Sequence, residues 1–275
     1  MTAQPLTDEA AGTAPGHGRL SGRRVLVVGA GSQPCADEDA PVGNGRAIAI
    51  LAAREGAKVA CCDIDRTAAQ ETVDSIAGAG GTATVVLADV SKADQCARAV
   101  TEAADGLDGL DGLVLNVGIG LGRGMAATTP EQWDATFAVN VRAHFLCAAA
   151  ALPVLAPASS VVFISSAASL HAGTGIPSYD SSKAALLGVC RQTALEGAPH
   201  GTRANVLVPG YIDTPLGRRA STGNPDRIAA VASRIPLGRQ GTAWEVAYAV
   251  LWLLSNESTY MTGQSLVIDG GRSSI

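Results

Sequence analysis

The sequence predicts an α/β fold in a single domain: a doubly wound, seven-stranded parallel sheet with helices on both faces. Two observations carry this expectation. Seven short runs, at 25–28, 59–62, 83–87, 113–115, 161–164, 204–208 and 266–268, are apolar almost throughout instead of alternating, the pattern of strands covered on both sides. Between them lie longer amphipathic stretches, at 46–55, 67–77, 92–104, 130–152, 179–196 and 243–254, which read as helices. Such alternation implies right-handed crossovers and a parallel sheet. With 275 residues, 47% of them apolar, the chain can bury a large core, and no linker divides it.

Along the chain, residues 1–20 are rich in Pro, Gly, Thr and Ala without periodicity and are expected to form a flexible leader, the domain itself covering 21–275. Gly56 follows the first helix, where a left-handed cap is wanted. Ser91 is the expected N-cap of the third helix, and Thr129-Pro130 opens the fourth. Trp244, Tyr248, Leu251 and Trp252 share one stripe of the last helix and read as core.

Composition excludes several roles. Twenty basic against 25 acidic side chains give a net charge of −5, which argues against a nucleic-acid partner. No uncharged apolar run reaches membrane-spanning length, and the N-terminus lacks the basic start and apolar stretch of a secretory signal. Six cysteines are scattered with neither C-x-x-C nor zinc spacing. They read as buried hydrophobes of a reducing cytoplasm, with no metal expected, and isolated His144, His171 and His200 agree.

The chemistry begins after the first strand, at Gly29-Ala30-Gly31-Ser32, and resumes at Gly43-Asn44-Gly45 where a helix starts. Glycines there let a pyrophosphate approach the backbone and rest on the helix's positive end, as in a Rossmann-type dinucleotide site. Asp63 ends the second strand, followed by Ile64. A carboxylate at that place accepts the adenosine ribose hydroxyls and repels a 2′-phosphate, favouring NAD over NADP, although Arg46 and Arg66 stand nearby in sequence. The intervening 33–42, with Asp37, Glu38 and Asp39, is either a surface excursion or a flap over the cofactor.

Tyr179 and Lys183 lie four residues apart on a predicted helix and therefore share a face. An ammonium there can stabilise a phenolate and lower the tyrosine pKa from its usual value near 10. Ser166, just past the fifth strand, can hold a substrate oxygen beside the tyrosine. Asn140 can supply a polar turn or a water relay inside the fourth helix.

Together with Ala88-Asp89-Val90, Asn116-Val117-Gly118, Ser165-Ser166, Pro209-Gly210 and the closing Thr262-Gly263-Gln264 and Asp269-Gly270-Gly271, these residues resemble the short-chain dehydrogenase/reductase family over residues 23–271. The resemblance implies that Ser166, Tyr179 and Lys183 form a catalytic triad, completed by Asn140. It implies that Asp89 and Val90 flank the adenine, Asn116 and Gly118 line the cofactor, and Ile212 and Thr214, after Pro209 and Gly210, touch the carboxamide. The implied reaction is hydride transfer between NAD(H) and a secondary alcohol or ketone, in a homotetramer built partly on the last helix and strand. Alternatives are an NADPH-dependent 3-oxoacyl-thioester reductase and a non-catalytic NAD-binding regulator. Enoyl reduction is disfavoured, because that branch spaces its Tyr and Lys farther apart. Three departures stand out: Val28 for the usual Thr, Leu115 for the first Asn of Asn-Asn-Ala-Gly, and the interrupted glycine turn. Residues 211–240 correspond to the substrate lid. There Arg218, Arg219, Arg227, Arg234 and Arg239 face only Asp213 and Asp226, which suits either a solvated lid helix or attraction of an anionic substrate.

Overall fold

The computed structural model describes residues 6–35, 40–221 and 225–274, with side chains outside 219–228. In chain order the strands are β1 (Arg24–Val28), β2 (Lys58–Asp63), β3 (Thr82–Leu87), β4 (Leu110–Leu115), β5 (Leu155–Ile164), β6 (Arg203–Pro209), β7 (Ile212–Asp213), β8 (Gly241–Thr242) and β9 (Ser265–Ile268). The helices are α1 (Asp8–Ala11), α2 (Asn44–Arg54), α3 (Arg66–Gly78), α4 (Ala93–Leu107), α5 (Pro130–Phe137), α6 (Ala143–Ala151), α7 (Pro177–Gly197), α8 (Pro215–Ser221), α9 (Pro225–Ala232) and α10 (Ala243–Leu254).

All seven predicted strands form one sheet, in the order β3-β2-β1-β4-β5-β6-β9, and every neighbouring pair is parallel. The two-stranded pair β7–β8 stands apart from it. Strand alternation explains why the runs are apolar on both sides. Leu26 and Val28 join the core against α4, α6 and α7, while Val25 and Val27 join the core against α2 and α10. From β1 the chain winds outward through β2 and β3, then returns to β4 on the other side. That reversal opens a crevice beyond the carboxyl ends of β1 and β4, where ligands of open α/β sheets bind.

Four local expectations are corrected. The segment 130–151 is helical throughout but not α throughout: a single π turn over Ala138–Arg142, which carries Asn140, divides it into α5 and α6. The N-cap of α4 is Lys92, without a side-chain cap, while Ser91 N–H donates to Asp89 Oδ1. The leader is the largest difference, since residues 6–20 pack onto the domain. Thr7 caps α1, and left-handed Gly12 lies so close to Trp244 that a Cβ would meet its indole at 2.1 Å. Arg54 Nη1 donates to the carbonyls of Gly12 and Ala14, and Glu55 Oε2 accepts from the N–H groups of His17 and Arg19. Leu20 is buried in the core that α2 and α10 line, worth about 2 kcal/mol. Of the expected stripe on α10, Leu251 is core, whereas Trp244, Tyr248 and Trp252 are only partly buried against it. The cap at Gly56 is left-handed with φ 94°, and Thr129 forms a capping box with Gln132 ahead of Pro130.

Candidate active site

At the crevice, three chain segments are knotted around β1. A Cβ on Gly45 would sit 1.7 Å from the Gly29 carbonyl oxygen, so the first turn of α2 can approach β1 only as glycine. The Asn116 amide donates to that same oxygen at 2.9 Å, tying the end of β4 into the knot. Gly31 abuts Asp63, whose Oδ2 accepts the Gly31 N–H at 2.9 Å, and Oδ1 accepts from Asp65 N–H. Ser32 Oγ accepts the Gly43 N–H at 3.0 Å and closes the neck of the 33–42 excursion. Asp37, Glu38 and Asp39 lie outside the described residues. Gly43 leaves α2 without a side-chain cap, and Asn44 Oδ1 is buried with no hydrogen-bond partner among the described residues. A glycine cradle, a helix N-terminus without a side-chain cap and an orphaned buried amide fit the phosphates and ribose of a dinucleotide. Ile64 is 65% exposed beside Asp63, at the rim. Val90 is core, and the Asp89 carboxylate closes its own turn on Ser91. Arg46 is engaged with α3: it donates to Thr72 Oγ1, the Ala68 carbonyl and Glu71.

The second cluster gathers over β5. Ser166 Oγ accepts the Ala168 N–H and caps the short turn after the strand, while Ser165 Oγ donates to the Lys183 carbonyl. Lys183 is fully buried on α7, its Nζ donating to the Ile164 carbonyl at 2.9 Å and lying 5.7 Å from the centre of the Tyr179 ring. A Cβ on Gly118 would stand 3.0 Å from that nitrogen and 3.6 Å from Asn140 Oδ1. Asn140 is committed on every side: Oδ1 accepts from Ile119 N–H, and Nδ2 donates to the Ile119 carbonyl and Ser182 Oγ. Its amide hydrogens are thus used in clamping the turn after Asn116 to α7. Segment 116–119 thereby joins the glycine knot to the Tyr179 cluster.

The electrostatics differ from the simple expectation. Burial raises the Tyr179 phenol above its ordinary pKa, the bond with Ser166 offsets part of that, and Asp180 adds to the rise. Burial likewise brings Lys183 down to about 8, so an ammonium that is itself desolvated does not outweigh the burial of the phenol.

The sequence gives His144 no ligand-spaced partner and a core or surface role, and it lies in the core; what the sequence does not show is that it backs the 116–119 turn. It is wholly buried, with Nε2 bonded to the Val117 carbonyl at 3.0 Å and Nδ1 without a partner among the described residues. Its position four residues after Asn140 was the available signal. Burial, with Lys183 adding repulsion, lowers it from 6.5 to about 3. Between those pH values the unfolded chain binds a proton that the folded one refuses, so stability falls as pH drops from about 6.5 toward 3. The total is roughly 4 kcal/mol. His144→Leu is expected to be about 1 kcal/mol less stable at pH 7, having lost the Val117 bond, yet to overtake the wild type in acid. Urea midpoints from pH 7 to 4 check this, and parallel curves would refute it.

At the far side Gly210 N–H donates to the Ile268 carbonyl, and buried Pro209 ends β6. Ile212 pairs with Gly241, and Thr214 Oγ1 accepts from Gly217 at the start of α8. The lid is less basic in practice than in sequence. Arg218 pairs with Asp213 and Arg239 with Glu245, at 2.8 and 2.7 Å, while the side chains of Arg219 and Arg227 lie outside the described residues.

Comparison with known proteins extends this picture. A family model described as enoyl-(acyl carrier protein) reductase matches residues 41–273. The (3R)-3-hydroxyacyl-CoA dehydrogenase of Canis lupus familiaris is 33% identical, over 92% of this chain and 97% of that one. The 3-oxoacyl-(acyl-carrier-protein) reductase FabG of Thermotoga maritima is 33% identical over 92% and 98%. A solved structure from Burkholderia xenovorans, titled as a short-chain dehydrogenase/reductase, aligns with a TM-score of 0.84 at 32% identity, covering 94% of this chain and 99% of that one.

Proposed function

The chain belongs to the short-chain dehydrogenase/reductase family, and from that premise we propose that it moves hydride between NAD and a secondary alcohol or ketone, with Tyr179 as acid and base. The observation that carries this reading is the meeting of Ser166, Tyr179 and Lys183 at the carboxyl edge of β5, one turn from the glycine knot.

When bound, the nicotinamide supplies the two-electron chemistry; the chain supplies position and the proton. Gly29, Gly31, Gly43, Asn44 and Gly45 receive the phosphates and Asp63 the adenosine ribose, with Asn116 and Gly118 along the floor. Ser166 Oγ orients the substrate oxygen toward Tyr179. With its raised pKa the phenol is protonated at neutral pH, so it stands ready to donate to a carbonyl oxygen. In the oxidative direction it must first lose that proton, and the Lys183 ammonium steadies the resulting charge. Asn140 acts at one remove, holding Ile119 and Ser182 in place.

A second reading, reduction of a 3-oxoacyl thioester with NADPH, draws support from the named relatives. Asp63 and the engagement of Arg46 speak for NAD instead, and the four-residue spacing of Tyr179 and Lys183 speaks for carbonyl over enoyl chemistry. Replacing the carboxylate tests the preference. Asp63→Ser is expected to lower the NAD:NADP ratio of kcat/KM by about tenfold to a hundredfold, the worth of charge-assisted hydrogen bonds. An unchanged ratio would remove Asp63 from the site. The whole reading is tested with a panel of secondary alcohols and ketones followed at the reduced-nicotinamide band, with NAD and NADP in parallel; silence across the panel counts against it. A cytoplasmic homotetramer belongs to the same proposal, supported by six cysteines without a disulfide and by the partly exposed β9 and Trp252.

A further inference from the structure

Beyond the carboxyl ends of β5 and β9 lies a solvent-open cavity of about 630 Å³, and three nitrogen-bearing side chains stand on its wall: His171, Arg234 and Arg272. Each comes from a different segment: the loop after Ser166, the stretch after α9, and the turn after β9. Arg272 is held in place from two sides. Its Nη1 donates to His171 Nε2 at 2.7 Å, and its guanidinium lies 4.6 Å from the centre of the Tyr211 ring. An arginine only donates, so Nε2 is the acceptor of this bond.

What sets these arginines apart is that no counter-ion faces them among the described residues. Lid residues Arg218 and Arg239 have Asp213 and Glu245, but among the described residues neither Arg234 nor Arg272 has a carboxylate partner. The nearby Asp269 carboxylate is taken up by its own turn, accepting from the N–H groups of Gly271 and Ser273 and from the Ser273 hydroxyl. A braced guanidinium with a second one across an open cavity suits a planar oxyanion, which it can grip with paired N–H donors. The cavity opens at the sheet edge that also carries Ser166, with His171 only five residues along the chain from it.

We propose that the substrate carries an anionic oxygen group, carboxylate or phosphate, that docks on Arg234 and Arg272 and sets the reach to the reacting carbon. The inference rests on the oxidoreductase reading above and names the substrate class for that site: oxo and hydroxy acids rather than neutral ketones.

The test compares wild type with the Arg234→Gln/Arg272→Gln double variant. The substrates are 4-oxopentanoate, 5-oxohexanoate, 6-oxoheptanoate, their methyl esters, and acetoacetyl-coenzyme A. Glutarate, which has no reducible carbonyl, is titrated by calorimetry onto the cofactor-bound protein. In the wild type one of the acids is expected to exceed its ester in kcat/KM by about tenfold to a hundredfold. The double variant should lose that advantage while keeping its ester rate, and should lose the glutarate heat. Arginine-dependent preference for the coenzyme A thioester would keep the site and assign it to a phosphate. Equal use of acid and ester, with glutarate binding unaltered in the variant, overturns the proposal and leaves the oxidoreductase reading intact. Arginine-dependent glutarate binding with no turnover of any ketone or alcohol does the opposite.

Discussion

Tyr179→Phe is expected to lower turnover by about a thousandfold, within the usual range for removing a general acid, while changing NAD affinity by less than about twofold. The substitution deletes one oxygen and leaves the ring in its place on α7 beside Gly120, so cofactor floor and substrate cleft keep their shape. What disappears is the proton that the substrate oxygen must gain or lose. The wild type should also show both groups in its pH profile: alcohol oxidation climbs from neutral toward pH 8, up to about tenfold per unit, then levels as Lys183 gives up its charge, while ketone reduction does not climb. Titration of NAD by fluorescence together with steady-state rates separates the two effects. A Phe variant that turns over normally would end the mechanism.

The sheet was legible because a parallel strand between two helical layers must be apolar on both faces, and seven such runs stand out. Ends were less so. Residues 110–112 of β4 were hidden by Asp111 and Gly112, and the carboxylate there is explained only by Arg24, which grips it from β1 with Nε and Nη2. The start of β5 contains Pro157, Ala158 at φ 61° and an irregular register opposite β4, none of which announces a strand. The packing of the N-terminal segment is hidden for a related reason. Its anchors, Arg54, Glu55, Trp244 and Glu257, are from about 40 to nearly 240 positions away in sequence, so local composition carries no trace of them.

In the site, residue identity was readable and orientation was not. Spacing places Tyr179 and Lys183 on one face, yet it cannot say that Nζ is spent on the Ile164 carbonyl or that burial outweighs the ammonium's pull on the phenol. The π turn at Asn140 is likewise silent in sequence, since it arises from the fit of α5 and α6 against α7 and the 116–119 turn.

The buried ammonium gives the second large effect. Lys183 titrates near 8 in the fold and near 10.5 when exposed, because burial disfavours its charge. Below pH 8 both states are protonated and the fold bears the whole desolvation cost, about 3 kcal/mol. From pH 8 to 10.5 the unfolded chain still holds a proton that the native state has released, so this group's contribution to stability rises with pH. Lys183→Met keeps the aliphatic stem and removes the charge. Against it stands the unpaired Ile164 carbonyl, a loss of about 1 kcal/mol. The variant should therefore be about 2 kcal/mol more stable than wild type at pH 7, or roughly 5 °C in Tm for a chain of this size. That margin should shrink toward zero or reverse by pH 10.5, and turnover should fall by a hundredfold or more, on the order of a lost catalytic group. Calorimetric scans at pH 7, 8.5 and 10 decide it. A margin that stays constant with pH would mean that the ammonium is solvated, and Lys183 would then no longer be a charge placed at the cost of stability to hold a phenolate.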